Sequence, residues 1–271
     1  MTWLDTIILS IVEGITEFLP ISSTGHMILV DAIMNHGKAR TAEEVEFAKL
    51  FEVCIQLGAI LSVVVLYWKK FFDFKRLDLY FKLIVAVFPA LLFGKLFSDK
   101  IDELLESPTT VAVALLVGGV VLLFVDKLFG KSSIDHEQNL SYKRSFFIGM
   151  WQVIAMIPGT SRSAATIIGG MQQGLTRRFA AEFSFFLAVP TMMAATGYKL
   201  MKAMKEHPEM LKNKDNLAML GVGNIIAFIV AFIAIKTFIQ FLQKNSLAAF
   251  GVYRIVAALA IFALMYMGRI A

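Results

Sequence analysis

Six continuous apolar runs, at about residues 47–68, 79–98, 109–126, 180–200, 217–242 and 248–268, limit what this chain can become. Each approaches or exceeds the roughly 18–20 residues that a helix needs to cross the hydrocarbon core of a bilayer. Lipid offers no partner for a backbone N–H or C=O, so such a run must satisfy its own backbone as a helix. The runs are continuous rather than alternating, which excludes the strand pattern of an outer-membrane barrel. Composition agrees: 58% of the 271 residues are hydrophobic and 17% are charged, where soluble domains carry about 25% charged residues. An all-α polytopic membrane protein is expected.

The N-terminus is not expected to be a secretory signal, because a basic start is missing and Asp5, Glu13 and Glu17 interrupt the apolar stretch. Cys54 is the single cysteine, so no intramolecular disulfide can form. The net charge of +5 is spread over loops, as a positive-inside bias requires, and no nucleic-acid partner is expected.

Two further segments, 2–30 and 145–173, are apolar but broken in the middle by a proline and a hydroxyl-rich turn. Each holds two arms of about 12–18 residues, which suit a re-entrant helical hairpin better than two clean spans. The first break reads Leu19-Pro20-Ile21-Ser22-Ser23-Thr24-Gly25 and the second Ile157-Pro158-Gly159-Thr160-Ser161-Arg162-Ser163. Both set an apolar residue before proline and hydroxyls after it, and each is followed by three spans, which makes an internal repeat. Three is odd, so the second hairpin enters from the opposite face. The expected architecture is six transmembrane helices plus two re-entrant helical hairpins in an inverted-topology repeat. Residues 1–130 and 131–271 form the two repeats of one membrane domain, with the broken helices meeting near the midplane.

Loop charge orients the chain. With both termini outside, the inside loops carry Lys69, Lys70, Lys75 and Arg76, then Lys127, Lys131, Lys143 and Arg144, then Arg177 and Arg178. The outside loop 98–107 holds Asp99, Asp102, Glu103 and Glu106. Loop 201–216, also outside in this scheme, runs against the trend with Lys202, Lys205, Lys212 and Lys214, beside Glu206, Glu209 and Asp215.

The breaks carry the chemistry. Glu13 and Glu17 are four residues apart, so a helix sets them on one face close to the first tip. Pro20 stops the first arm, and Ser22, Ser23 and Thr24 cap the second, whose first N–H groups lack intrahelical partners. His26 falls in the first turn of that arm. At the second tip Gly159 allows close backbone approach, Thr160, Ser161 and Ser163 supply hydroxyls, and Arg162 supplies a planar charged fork suited to phosphate. Helix N-termini add donors and partial positive charge. Carboxylates alone would repel a phosphate, so their presence implies a divalent cation, Mg²⁺ or Ca²⁺, held by Glu13 and Glu17. An imidazole can move a proton near neutral pH.

Plainer readings compete at several positions. Ser22, Thr160 and Ser163 are residue types that cap helices or join them without binding anything. Intramembrane ionisable groups are functional by default, which separates Glu13, Glu17, His26 and Arg162 from them. Glu52, Gln56, Glu182, Tyr253 and Arg254 are read as helix packing or interfacial anchors, Lys236 as a snorkelling side chain, and His36, His136 and His207 as solvated loop residues.

“EGITEFLPISSTGH” and “PGTSRSAATI” resemble the two signature stretches of the undecaprenyl-diphosphate phosphatase family, also called bacitracin-resistance proteins. “FEVCIQLGAILSVVVLYW”, “AAEFSFFLAVP” and “IAFIVAFIAIKTFIQFLQ” look like its other segments, in order, over nearly the whole chain. One departure is Ala164, which follows Ser163 where the family usually has glycine. The resemblance implies a phosphatase of the bacterial cytoplasmic (inner) membrane. It would remove the terminal phosphate from an isoprenyl diphosphate lipid, recycle the carrier for peptidoglycan synthesis and confer bacitracin resistance. Its active site would face the periplasmic side. Glu13 and Glu17 match the acidic motif of catalysis and metal use, His26 the histidine, Ser22, Ser23 and Thr24 the hydroxyl run, and Ser161 and Arg162 the arginine motif. Catalysis is assigned to Glu13, Glu17, Ser23, His26 and Arg162. Phosphate binding falls to Ser22, Thr24, Gly159, Thr160, Ser161, Arg162 and Ser163. Ser23 or a water attacks phosphorus, and His26 transfers the proton. Partners are the lipid substrate and membrane lipids, and a homodimer is compatible with all of this. The rival function is a transporter or flippase of a lipid phosphate built on the same anion site.

Overall fold

The computed structural model describes residues 1–34, 41–73, 77–97, 100, 104, 107–130, 132–206 and 210–270. Lys75, Arg76, Asp99, Asp102, Glu103, Glu106, Lys131, His36, His207 and Glu209, named above, lie outside the described residues. Those described form eleven α-helices, with no strand beyond an isolated bridge between Ile134 and Leu175. In chain order the helices are α1 (Trp3–Thr16), α2 (Ser23–Met34), α3 (Ala42–Leu66), α4 (Trp68–Phe71), α5 (Leu77–Leu96) and α6 (Pro108–Phe129). They continue with α7 (Tyr142–Ile154), α8 (Arg162–Gln172), α9 (Arg177–Glu206), α10 (Lys214–Lys244) and α11 (Ala248–Tyr266).

Helices α3, α5, α6, α9, α10 and α11 are long and apolar enough to cross a membrane, matching the six expected runs. Several extend past the apolar boundary because polar residues cap them. Thr41 and Glu44 form a reciprocal capping box ahead of α3, five residues before its apolar run, and Asn213 caps α10. A similar box of Thr2 and Asp5 starts α1.

The apolar stretch of α9 is 72% buried, against 50% or less for the other five, so α9 is the central span. Its Phe183, Phe185 and Phe186 are sealed into the main core with Phe18, which meets Phe185 edge-on at 5.4 Å. The other spans are less enclosed. On α10, Met219, Gly223, Ala227, Ala231 and Ile235 face inward at a period of four, while Ile225, Ile229 and Ile233 are exposed. Lipid is as apolar as isoleucine, so exposure there costs little and close packing of small residues drives association.

Several of the larger helix contacts cross between the halves of the chain. Helix α1 of the first half lies on α10 of the second, and α7 of the second half lies on α5 of the first. The pairs α3–α9 and α6–α11 join corresponding spans. At α6–α11 the backbones nearly touch: a Cβ on Gly251 would sit 2.7 Å from the Gly119 carbonyl oxygen. At α7–α5, a Cβ on Gly149 would overlap the Ala86 carbonyl. Overpacking costs about 1–3 kcal/mol, so Gly251→Val is expected to lower the melting temperature of the detergent-solubilised protein. Leu259→Val, on the exposed face of the same helix, is expected to leave it unchanged.

Candidate active site

Helix α1 ends at Thr16 and α2 starts at Ser23; α7 ends at Ile154 and α8 starts at Arg162. The residue before each second helix is a serine in the left-handed region, Ser22 and Ser161, both with φ +71°. That conformation costs a residue with a Cβ about 1–2 kcal/mol, and such strain clusters at functional sites. Each serine caps the helix it precedes. Ser22 Oγ accepts from the Gly25 N–H at 3.4 Å, and Ser161 Oγ from the Ala164 N–H at 3.2 Å. Ala164 therefore supplies the N–H that a glycine would, and its methyl is buried.

The two turns place different side chains at one equivalent point, the first residue of the second helix: Ser23 in α2 and Arg162 in α8. Both reach Glu17. Ser23 Oγ donates to Oε2 at 2.9 Å, and Arg162 Nη2 donates to Oε1 at 3.0 Å. Glu13, one turn earlier on α1, is beside Glu17, and Glu52 of α3 is within electrostatic range of Glu13. Arg162 also donates from Nη1 to the Ser184 carbonyl at 3.0 Å and packs 5.5 Å from the Phe18 ring centroid. Two buried atoms here have no hydrogen-bond partner: Glu13 Oε1, an acceptor, and Arg162 Nε, a donor. Burying such groups unpaired costs about 1–3 kcal/mol each, so each is a point that a bound ligand would satisfy.

The turns are tied to each other. Ser163 Oγ donates to the Leu19 carbonyl at 2.7 Å. Gly159, with φ +91°, sits so close to α6 that a Cβ would overlap the Val111 carbonyl oxygen. Arg254 of α11, fully buried, holds both turns: Nη1 donates to the Pro20 and Thr160 carbonyls at 3.3 and 2.9 Å, and Nη2 to Gly159 at 2.9 Å. Its other contacts reach α6, with Nη2 on the Ala114 carbonyl at 3.1 Å and Nε on Leu115 at 3.3 Å. Gly118 makes room, since a Cβ there would overlap the guanidinium.

His26 does not face Ser23. Its Nδ1 lies 2.7 Å from the Ser22 carbonyl and its Nε2 2.7 Å from the Tyr253 hydroxyl. The hydroxyl of Ser23 is held by Glu17 instead, so the group placed to take the Ser23 proton is the carboxylate. Thr24 and Thr160 are half-buried beside the two turns.

Tyr253 meets His26, and Arg254 packs helices as the sequence reading had it, but its hold on both turns was not foreseen. The available signal was an arginine seven residues into an apolar span, where an ionisable group is functional by default. What hid it was the absence of a partner in sequence, because all five of its bonds go to backbone carbonyls. Glu182 does behave as a packing residue, paired with Lys70 at 3.3 Å and Arg178 at 3.0 Å.

Among the described residues no group of three or more His, Cys, Asp or Glu side chains gathers tightly enough to hold a metal alone. The Glu13–Glu17 pair nonetheless offers hard oxygen donors, one of them the unpartnered Glu13 Oε1. Two carboxylates suit a divalent cation that takes its remaining ligands from phosphate oxygens and water.

Fold and site together define a multi-pass helical membrane protein that joins paired carboxylates, an arginine fork and a serine hydroxyl within its apolar core. Residues 6–260 match the family described as bacitracin resistance protein BacA, and the chain belongs to that family. An undecaprenyl-diphosphatase of Flavobacterium psychrophilum is 56% identical over 261 residues, covering 96% of this chain and 95% of the relative. Undecaprenyl-diphosphatases of Porphyromonas gingivalis and Bdellovibrio bacteriovorus are each 48% identical, over 99% of this chain and 98% of theirs.

Lysine offers three donors where Arg254 supplies five in a fixed fork, and a broken buried charge network costs about 3–5 kcal/mol. Arg254→Lys is therefore expected to lower the melting temperature steeply and to expose the Pro20 and Gly159 turns to proteolysis. An unchanged melt would show that the arginine is not what holds the two turns.

Proposed function

We propose that this chain hydrolyses undecaprenyl diphosphate to undecaprenyl phosphate and inorganic phosphate, recycling the lipid carrier of cell-wall synthesis and conferring bacitracin resistance. The observation that carries the reading is Glu17, held between the Ser23 hydroxyl and the Arg162 guanidinium. The names of the curated relatives favour hydrolysis over transport.

In this reading the terminal phosphate lies against Arg162, whose unpartnered Nε is a free donor. Ser23 Oγ attacks phosphorus as its proton passes to Glu17 Oε2. The Oγ–P bond forms, the bridging P–O bond breaks, and the lipid phosphate leaves with the electron pair. Water then attacks the phosphoserine: the new O–P bond forms and the Oγ–P bond breaks, Glu17 returns its proton to Ser23 Oγ and takes one from the water, and inorganic phosphate leaves. Arg162 balances charge building on the equatorial oxygens, and positioning supplies most of the rate. Ser22, Ser161 and Ser163 shape the turns, while Thr24, Gly159 and Thr160 border the phosphate. A Mg²⁺ or Ca²⁺ ion bound by Glu13 and Glu17 would neutralise part of the diphosphate charge.

We assign the architecture as the inverted repeat of residues 1–130 and 131–271. Support comes from the matched serine turns and from the reciprocal packing of α1 on α10 and α7 on α5. The pairs α1–α2 and α7–α8 are re-entrant hairpins, their arms of 14, 12, 13 and 11 residues being too short to cross. With the N-terminus outside, the Glu13–Glu17 hairpin enters from the periplasmic side of the cytoplasmic membrane, where the site opens.

The test is phosphate release from a long isoprenyl diphosphate by purified protein in detergent. Release is expected to stop with a chelator and return with Mg²⁺. Glu17→Gln is expected to lower kcat by ~10²-fold or more, the usual worth of a positioned base. Full turnover in Glu17→Gln, or no release by the unaltered protein, would contradict the reading.

A further inference from the structure

His26 is held at both ring nitrogens. Nδ1 lies 2.7 Å from the Ser22 carbonyl, which only accepts, so Nδ1 carries a hydrogen. Nε2 lies 2.7 Å from Tyr253 Oη. The imidazole and phenol rings are nearly parallel, 4° apart in plane with centroids 5.5 Å apart. His26 is buried, while Tyr253 is 47% exposed. The imidazole therefore has no free nitrogen for Ser23 or for a ligand, and its only outlet is the phenol.

The phenol is well placed to be that outlet. Tyr253 precedes Arg254, three of whose five bonds fix this part of α11 against the Pro20, Gly159 and Thr160 carbonyls. The hydroxyl is thus held beside His26, in the first turn after the first tip, on a residue that remains half-exposed. The charged group that faces His26 from α11 is Arg254, with the guanidinium turned towards the turn carbonyls.

We propose that Tyr253 is the proton-delivering group of this site, with His26 acting through it on the leaving lipid phosphate; this rests on the phosphatase reading above. As the bridging P–O bond breaks, the departing oxygen takes the phenol proton. The phenol oxygen takes the Nε2 proton of the imidazolium in the same movement. Tyrosine ends unchanged, the imidazole ends neutral, and the lipid phosphate leaves protonated. The ring regains its proton from solvent before the next turnover, as Glu17 releases to solvent the proton it took from the attacking water. Glu17 serves the attacking oxygen and the His26–Tyr253 pair serves the leaving one, so the two proton transfers use separate groups.

The decisive comparison is steady-state kinetics of the unaltered protein, His26→Ala, Tyr253→Phe and the double variant on a long isoprenyl diphosphate. Phenylalanine removes the hydroxyl and keeps the ring stack. Each single change is expected to lower kcat by about 10²-fold, the usual scale for a general acid, with KM within twofold. The double variant is expected to be no slower than His26→Ala alone, because two groups in series fail as one. A merely structural tyrosine would give losses that multiply. Wild-type kcat in Tyr253→Phe beside an impaired His26→Ala, or multiplying losses, overturns the relay and leaves the phosphatase reading standing. Wild-type kcat in His26→Ala overturns the relay at its source. No phosphate release by the unaltered protein overturns the phosphatase reading itself.

Discussion

A guanidinium fully buried in an apolar bundle is costly unless every N–H finds a partner, and Arg254 finds five, all backbone carbonyls. Three belong to the turns that interrupt the two short helix pairs. Turn carbonyls have no helix to satisfy them, so arginine and turns solve each other's desolvation problem. The Ser163–Leu19 bond and the absent side chains of Gly118 and Gly159 serve the same junction. Without it, Glu17 and Arg162, which are 145 residues apart in sequence, would have no fixed relation.

That junction lets a repeated backbone device carry unequal chemistry. Both turns use a left-handed serine that caps the helix after it, and both present the next residue into the centre. In the first turn that residue is Ser23, a nucleophile type; in the second it is Arg162, an anion binder. The shared carboxylate of Glu17 completes the arrangement by holding each in place, while Glu13 Oε1 and Arg162 Nε remain without partners. The two turns thus share a backbone device and differ in the side chain that each presents.

Much of this was legible in the residues. Continuous apolar runs fix span number, because length and the backbone's need for internal hydrogen bonds leave few alternatives. The spacing of Glu13 and Glu17 and the Pro-hydroxyl turns point to the site for the same kind of reason: polar groups within lipid need a purpose. Span ends were less legible, since capping residues such as Thr41 and Asn213 carry helices beyond the apolar stretch. The partners of Arg254 and Tyr253 were not legible, being a set of carbonyls and a distant histidine that no local spacing encodes. That the Ser23 hydroxyl meets Glu17 rather than His26 was hidden too, since both lie close to Ser23 in sequence and only the turn geometry separates them.

We propose that Ser23, Glu17 and Arg162, gathered from two distant turns, act on one phosphorus atom. Acid quenching of the purified protein with a terminally labelled isoprenyl diphosphate measures this directly. The account predicts label trapped on Ser23 in the unaltered protein and none in Arg162→Gln. Unimpaired turnover in Ser23→Ala, or labelled Ser23 at full yield without Arg162, would contradict it.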